Sequence, residues 1–171
     1  GKECLSPTLI TKAPYRPPPP PVPQKYPGKN VLTVVSSTSS MQGDLKCTGT
    51  NDHLQIQEAI DNMNQTGGMV ILSEGTFYIS KQILICDNLV FKGQGINNTI
   101  LFVTDNSPEY RRAGTINGYA NINVSFYDFQ VNGNRAGNPG DAYVKGPAYG
   151  KFGHYCESCI DILYERVGIS I

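Results

Sequence analysis

The stretch from Asn51 to Gln94 constrains the fold more than any other part of the chain. Ile56, Ala59, Ile60 and Met63 recur at i, i+3, i+4 and i+7, the spacing of one apolar helix stripe. Asn51 and Asp52 stand before it as N-cap residues, while Asn64 and Gly67-Gly68 stand after it as a stop. Gln55, Glu58 and Asp61 fall on the side turned to water. Short apolar strands at 69–72 and 76–79 then follow at once. A single helix ahead of many strands suits a cap on the open end of a strand stack. Such an end otherwise exposes unpaired edges and apolar interior.

Further short strands are expected at 31–35, 82–85, 89–92, 99–103, 114–116, 123–131 and 160–169. Three segments are weakly self-similar, starting at Asn88, Asn121 and Cys159, with alternating apolar residues in each. A second apolar piece follows every one: Ile100-Leu101-Phe102, Phe129-Gln130-Val131 and Val167-Gly168-Ile169. Repeats of this length are those of a solenoid whose coils bury their faces on one another at about 4.8 Å. An antiparallel sandwich is the alternative, and Asn117-Gly118 and Asn132-Gly133 are hairpin-type signals in its favour. The repeats and the leading helix tilt the reading to an all-β, right-handed, single-stranded parallel β-helix with a short N-terminal capping α-helix.

Residues 1–30 hold most of the prolines, with Pro17 to Pro21 consecutive. Proline fixes φ and lacks the amide donor, so this stretch reads as an extended polyproline linker, with the β-helix domain at 31–171. The chain carries 14 Lys+Arg against 14 Asp+Glu, so total charge makes no case for nucleic acid or an anionic membrane. No apolar run approaches the roughly 20 residues of a membrane-spanning helix. Three sequons, Asn64-Gln65-Thr66, Asn97-Asn98-Thr99 and Asn123-Val124-Ser125, point to a secreted, extracellular or cell-wall glycoprotein. The 5 cysteines are odd in number, which leaves one without an internal partner. Cys156-Glu157-Ser158-Cys159 is a CxxC with neither a βαβ context nor a second ligand pair, and reads as a local disulfide.

Gly49-Thr50-Asn51-Asp52 with Ile56-Gln57-Glu58-Ala59-Ile60, Gly67-Gly68 and Gly75-Thr76-Phe77-Tyr78 resembles the opening of the pectate-lyase-like β-helix superfamily. Val90-Phe91-Lys92-Gly93-Gln94-Gly95 and Phe129-Gln130-Val131-Asn132-Gly133-Asn134-Arg135 resemble coils of mannuronan C-5 epimerases, especially the brown-algal type. The resemblance covers roughly residues 31–171. It implies inversion of C5 in mannuronate within intact alginate or a related polyuronate. It also implies a catalytic Tyr-Gly-(Phe/Tyr)-Asp-Pro-His cluster just after the coil that resembles 160–171. That cluster is absent, so the expectation is an N-terminal piece of such a domain that does not turn over alone. Another β-helix lyase or hydrolase, or a non-catalytic wall-binding protein, remains as the alternative.

The polar, Gly-rich excursion from Asn134-Arg135 through Lys151 is the expected binding face. Lys145 is the expected catalytic residue, a cation that neutralises the uronate carboxylate. Asn134, Arg135, Asp141 and Lys151 are expected to bind substrate, with His154 as an acid or base and Tyr149 as a stacking ring. No cofactor is evident. The resemblance allows calcium, although Asp44, Asp52 and Asp105 lack the spacing of a metal loop.

Overall fold

A computed structural model describes residues 25–107, 115–138, 154–157 and 160–170, with only the backbone described at 154–157 and at 160. In chain order the elements are β1 (Val31–Val35), β2 (Leu45–Lys46), α1 (His53–Met63), β3 (Gly68–Leu72), β4 (Gly75–Ile79), β5 (Ile83–Leu84) and β6 (Leu89–Lys92). They continue with β7 (Thr99–Val103), β8 (Ile116–Tyr119), β9 (Ile122–Asn132), β10 (His154–Glu157) and β11 (Ile160–Ser170). Every pairing among these strands is parallel.

The strands make three faces of a parallel β-helix. Face A stacks β2, β1, β3, β6 and the first halves of β9 and β11. Face B stacks β4, β7 and the second halves of β9 and β11. Face C stacks β5, β8 and β10. The long strands β9 and β11 pass from face A to face B by bending at Asp128 and Arg166, both at positive φ (59° and 51°). The sandwich alternative is thereby excluded, since no strand pairs antiparallel among the described residues.

Alternation along each strand puts every second side chain inside. Leu32, Val70, Phe91, Phe126 and Tyr164 form one inward column across successive coils. Phe91, Phe126 and Phe129 meet edge-on, at 5.3–6.3 Å between centroids, and Tyr164 stacks on Phe126 at 5.2 Å. Each such pair is worth about 0.5–1.5 kcal/mol beyond its buried area. Phe77, Leu101 and Val131 form the matching buried column under face B.

Helix α1 closes one end as the apolar stripe requires: Ile56, Ala59, Ile60 and Met63 are all buried in the core. It stops at Asn64, and Gly67 (φ 73°) donates its N–H to Met63 O at 2.7 Å. Asp52 occupies the N-cap position, but its side chain does not cap the helix. Its carboxylate instead accepts Gly49 N–H and Tyr78 N–H, each at 2.9 Å, and clasps the helix to β4. Gln55, Glu58 and Asp61 are half-buried rather than fully in water.

Three local readings are corrected. The strand expected at 114–116 is β8, Ile116–Tyr119, so Asn117-Gly118 lies inside a strand and not in a hairpin. Glycine is needed there for packing: a Cβ on Gly118 would sit 2.7 Å from Ile85 Cδ1. The first repeat is also in a different register from the one expected, while the second and third stay level as expected, Ile122 pairing with Ile160. Asn88 stands beside Asn123, with Asn123 Nδ2 donating to Asn88 Oδ1 at 3.0 Å, and Asp161 comes next. These three share φ of 54–55° at the corner between faces C and A, in line with Gly67. Asparagine and aspartate tolerate this left-handed conformation. Finally, β2 and β10 are additional strands.

No helix among the described residues is long and apolar enough to cross a membrane.

Candidate functional site

The connections between faces differ sharply in length. From A to B the chain needs only Ser73-Glu74, then 93–98, then the single bends at Asp128 and Arg166. From C to A it uses 85–88, 120–121 and 158–159. From B to C it uses 80–82, then 104–115, then 133–153, each longer than the last. Insertions on a solenoid gather where they do not disturb the stacking, often on the binding side. The B-to-C corner and the outer side of face C are therefore the candidate site.

The described parts of the two long connections brace one another. Asn134 (φ 48°) donates its amide to Val103 O at 3.0 Å and Asp105 Oδ1 at 2.7 Å, and its Oδ1 accepts Gly137 N–H at 3.1 Å. Asn138, only 3% exposed, donates to Thr104 O at 3.2 Å and Asn134 O at 2.9 Å. Its Oδ1 accepts Ser107 N–H at 3.1 Å, and Asn106 N–H reaches Gly137 O at 3.0 Å. A Cβ on Gly137 would press on the Asp105 carboxylate and the Asn134 amide, so glycine lets both side chains keep their places in the turn. On this turn Arg135 stands exposed.

The sequence-expected residues divide accordingly. Arg135 is presented to solvent at the corner. Asn134 lies beside it, with its side chain spent on the turn. Asp141, Lys145, Tyr149 and Lys151 lie outside the described residues. His154 takes the register position of Ile83 and Ile116, two core residues of face C. Sequence reasoning missed Asn138 and Tyr119. Asn138 was missed because the partners that tie it to the neighbouring coil, Ser107 and Thr104, lie some thirty residues earlier in the chain. Tyr119 was hidden behind Asn117-Gly118 read as a turn. It is 54% exposed on face C, an aromatic surface of the kind that packs against a sugar ring.

A second charged patch lies at the A-to-B corner. Arg166 donates from Nε to Asp128 Oδ1 at 2.5 Å and from Nη2 to Oδ2 at 3.1 Å, and it also pairs with Glu165. Hydrogen bonding to Arg166 lowers the Asp128 pKa, and both carboxylates raise that of Arg166. This patch is internally neutralised, which leaves little cationic charge for an anionic ligand.

Cys47 and Cys86 are both buried in the core. Burial, then the nearby Asp52 charge, pushes the Cys47 pKa up to about 12, so it is a packed thiol and no nucleophile at neutral pH. Among the described residues no three His, Cys, Asp or Glu side chains converge to hold a metal ion.

Residues 38–136 match the family model described as rhamnogalacturonase A/epimerase, pectate lyase-like. No curated protein and no solved structure matches the chain.

Proposed function

This chain belongs to the rhamnogalacturonase A/epimerase, pectate lyase-like family, which places it among polysaccharide-modifying β-helix proteins, and we propose from that premise that it acts on a polyuronate at the B-to-C corner. The observation that supports this reading most is Arg135, an exposed cation held on a turn braced from two coils. A guanidinium fork suits a uronate carboxylate, and a fixed turn sets where that carboxylate lies.

The reaction we propose is C5 epimerisation of mannuronate to guluronate in alginate. The C5 proton beside a carboxylate is barely acidic. Neutralising the carboxylate stabilises the aci-carboxylate that forms when the proton leaves. One group takes the proton and another returns one to the opposite face. Lys145 is proposed as the neutralising cation, with Arg135 holding a neighbouring uronate, and Tyr119 and Tyr149 packing against sugar rings. Loss of the C4 substituent from the same intermediate would make the protein a lyase.

Incubation of the full-length protein with polymannuronate followed by proton NMR tests the chemistry. Guluronate signals support epimerisation, whereas unsaturated ends identify a lyase. Binding to polymannuronate with no new signal leaves a polysaccharide-binding protein, and no binding sinks the proposal.

A further inference from the structure

We propose that in the folded, exported protein Asn97 carries an N-linked glycan and Asn123 does not. The inference needs passage through a secretory pathway and is independent of the reaction proposed above. Sequence alone ranks the three sequons equally, and the fold separates them.

Asn97 is exposed at the tip of the turn between β6 and β7, on the A-to-B corner. The turn is pinned by its neighbours and not by Asn97. Asn98 Nδ2 donates to Gln94 O at 2.9 Å, Asn98 N–H to Gly95 O at 3.0 Å, and Gly75 N–H to Asn98 O at 2.7 Å. Asn97 itself has no side-chain hydrogen bond among the described residues. A bulky substituent on its Nδ2 therefore displaces nothing. Thr99, the hydroxyl residue of this sequon, is fully buried, with Oγ1 donating to Ser73 O at 2.8 Å and accepting Gln94 N–H at 2.9 Å. Once this corner is folded its hydroxyl cannot reach a modifying enzyme. Transfer must then precede folding, and the folded state decides which modified chains survive.

Asn123 fails that selection. It is exposed, but its Nδ2 donates to Asn88 Oδ1 inside the ladder of left-handed residues, with Asp161 on the next coil. Rungs there are separated by about 4.8 Å, the ordinary strand spacing. A sugar on Nδ2 would have to share that gap with Asn88 and Asp161. Asn64 is the half-buried C-cap of α1, and is a poorer position than Asn97.

In the transfer, Asn97 Nδ2 attacks C1 of an oligosaccharide carried on a polyisoprenyl diphosphate. The N–C1 bond forms, the C1–O bond breaks, the diphosphate leaves with the electron pair, and the amide proton passes to the transferring enzyme's base. The glycan then sits at the A-to-B corner, on a different edge of the helix from the Arg135 turn.

The test is site-resolved mass spectrometry of the full chain secreted by a eukaryotic host, after enzymatic deglycosylation that converts each occupied Asn to Asp. Conversion at Asn97 and none at Asn123 is the expected result. N97Q should remove that glycan and leave the thermal midpoint of the deglycosylated protein unchanged, while N123Q should lower the midpoint. An unconverted Asn97, or a converted Asn123 in soluble secreted protein, overturns the inference.

Discussion

The two ends of face B are built on opposite terms. At the A-to-B corner the chain turns within a residue or a few, and nearly every polar group there serves the turn. Gln94 Nε2 donates to Leu72 O, Thr99 bridges Ser73 and Gln94, and Arg166 is bound by Asp128. At the B-to-C corner the connections lengthen from coil to coil, and a braced turn holds an arginine outward. A tight corner fixes the stacking of coils and spends most of its polar groups on that task. A loose corner can lengthen without disturbing register, so functional groups collect there. Loop closure cost grows only slowly with length, which makes that tolerance inexpensive.

The comparison breaks most visibly in the core beneath the tight corner. Phe126→Ala removes the ring shared by Phe91, Phe129 and Tyr164 and should cost about 3–5 kcal/mol, read from urea unfolding. A loss below about 1 kcal/mol would mean that the aromatic column does not hold the coils together. Next in size is a pair of glycine substitutions. In Gly93→Ala the new Cβ would press on the Asp128 carbonyl and stand 2.8 Å from Thr99 Cβ and 2.9 Å from Phe129 Cβ. None of those atoms can move freely, so the cost should be about 1–3 kcal/mol. In Gly137→Ala the clash is with the ends of the Asp105 and Asn134 side chains, which can swing away. Its cost should be smaller, on the order of 1 kcal/mol. If Gly137→Ala proved the more damaging, the B-to-C turn would be the stiffer of the two.

The Asp128–Arg166 pair gives the comparison a pH signature. The folded-state pKa of Asp128 is lowered, first by the hydrogen bond from Arg166 and then by the positive charges of Arg166 and Lys92. Its contribution is therefore present above the unfolded value of about 3.9 and is lost as pH falls through the lower folded value. Asp128→Asn keeps a residue suited to the positive φ and removes this titration. Its stability should fall less steeply below pH of about 4 than that of the parent chain. An unchanged acid limb would show that the ion pair is only a solvated surface contact.

Much of this fold was legible in the sequence because period-2 alternation and the helix stripe are local patterns. The edges of β1, β6 and β7 coincide with the expected 31–35, 89–92 and 99–103. Register was not legible. Placing Asn88 beside Asn121 instead of Asn123 shifts the pairing by two residues, which leaves Val124 and Phe126 on the same inner face. Only the shared left-handed backbone at Asn88 and Asn123 separates the two alignments, and alternation does not report it. For the site, Arg135 could be read as an exposed cation in a Gly-rich excursion. The bracing by Asn138 could not, since it depends on which coils lie side by side. Asn134 shows the converse, a motif residue whose side chain belongs to the turn that presents its neighbour.

The finest test separates Arg135 from the turn that carries it. The Arg135 side chain is exposed and makes none of the bracing hydrogen bonds, and its carbonyl, which accepts Asn138 N–H at 3.2 Å, survives truncation, so Arg135→Ala should leave stability within about 0.5 kcal/mol of the parent. If it meets a uronate carboxylate, affinity for polymannuronate should fall by about 1 kcal/mol, roughly fivefold, with a weaker salt dependence. Asn138→Ala should do the reverse in stability. It leaves Ser107 N–H without its acceptor in a buried position and should cost about 1–3 kcal/mol. Affinity should then drop as well, because the arginine is no longer held. If Arg135→Ala binds polymannuronate as the parent does, the loose corner carries its ligand-binding groups elsewhere, and the link from braced turn to substrate is lost.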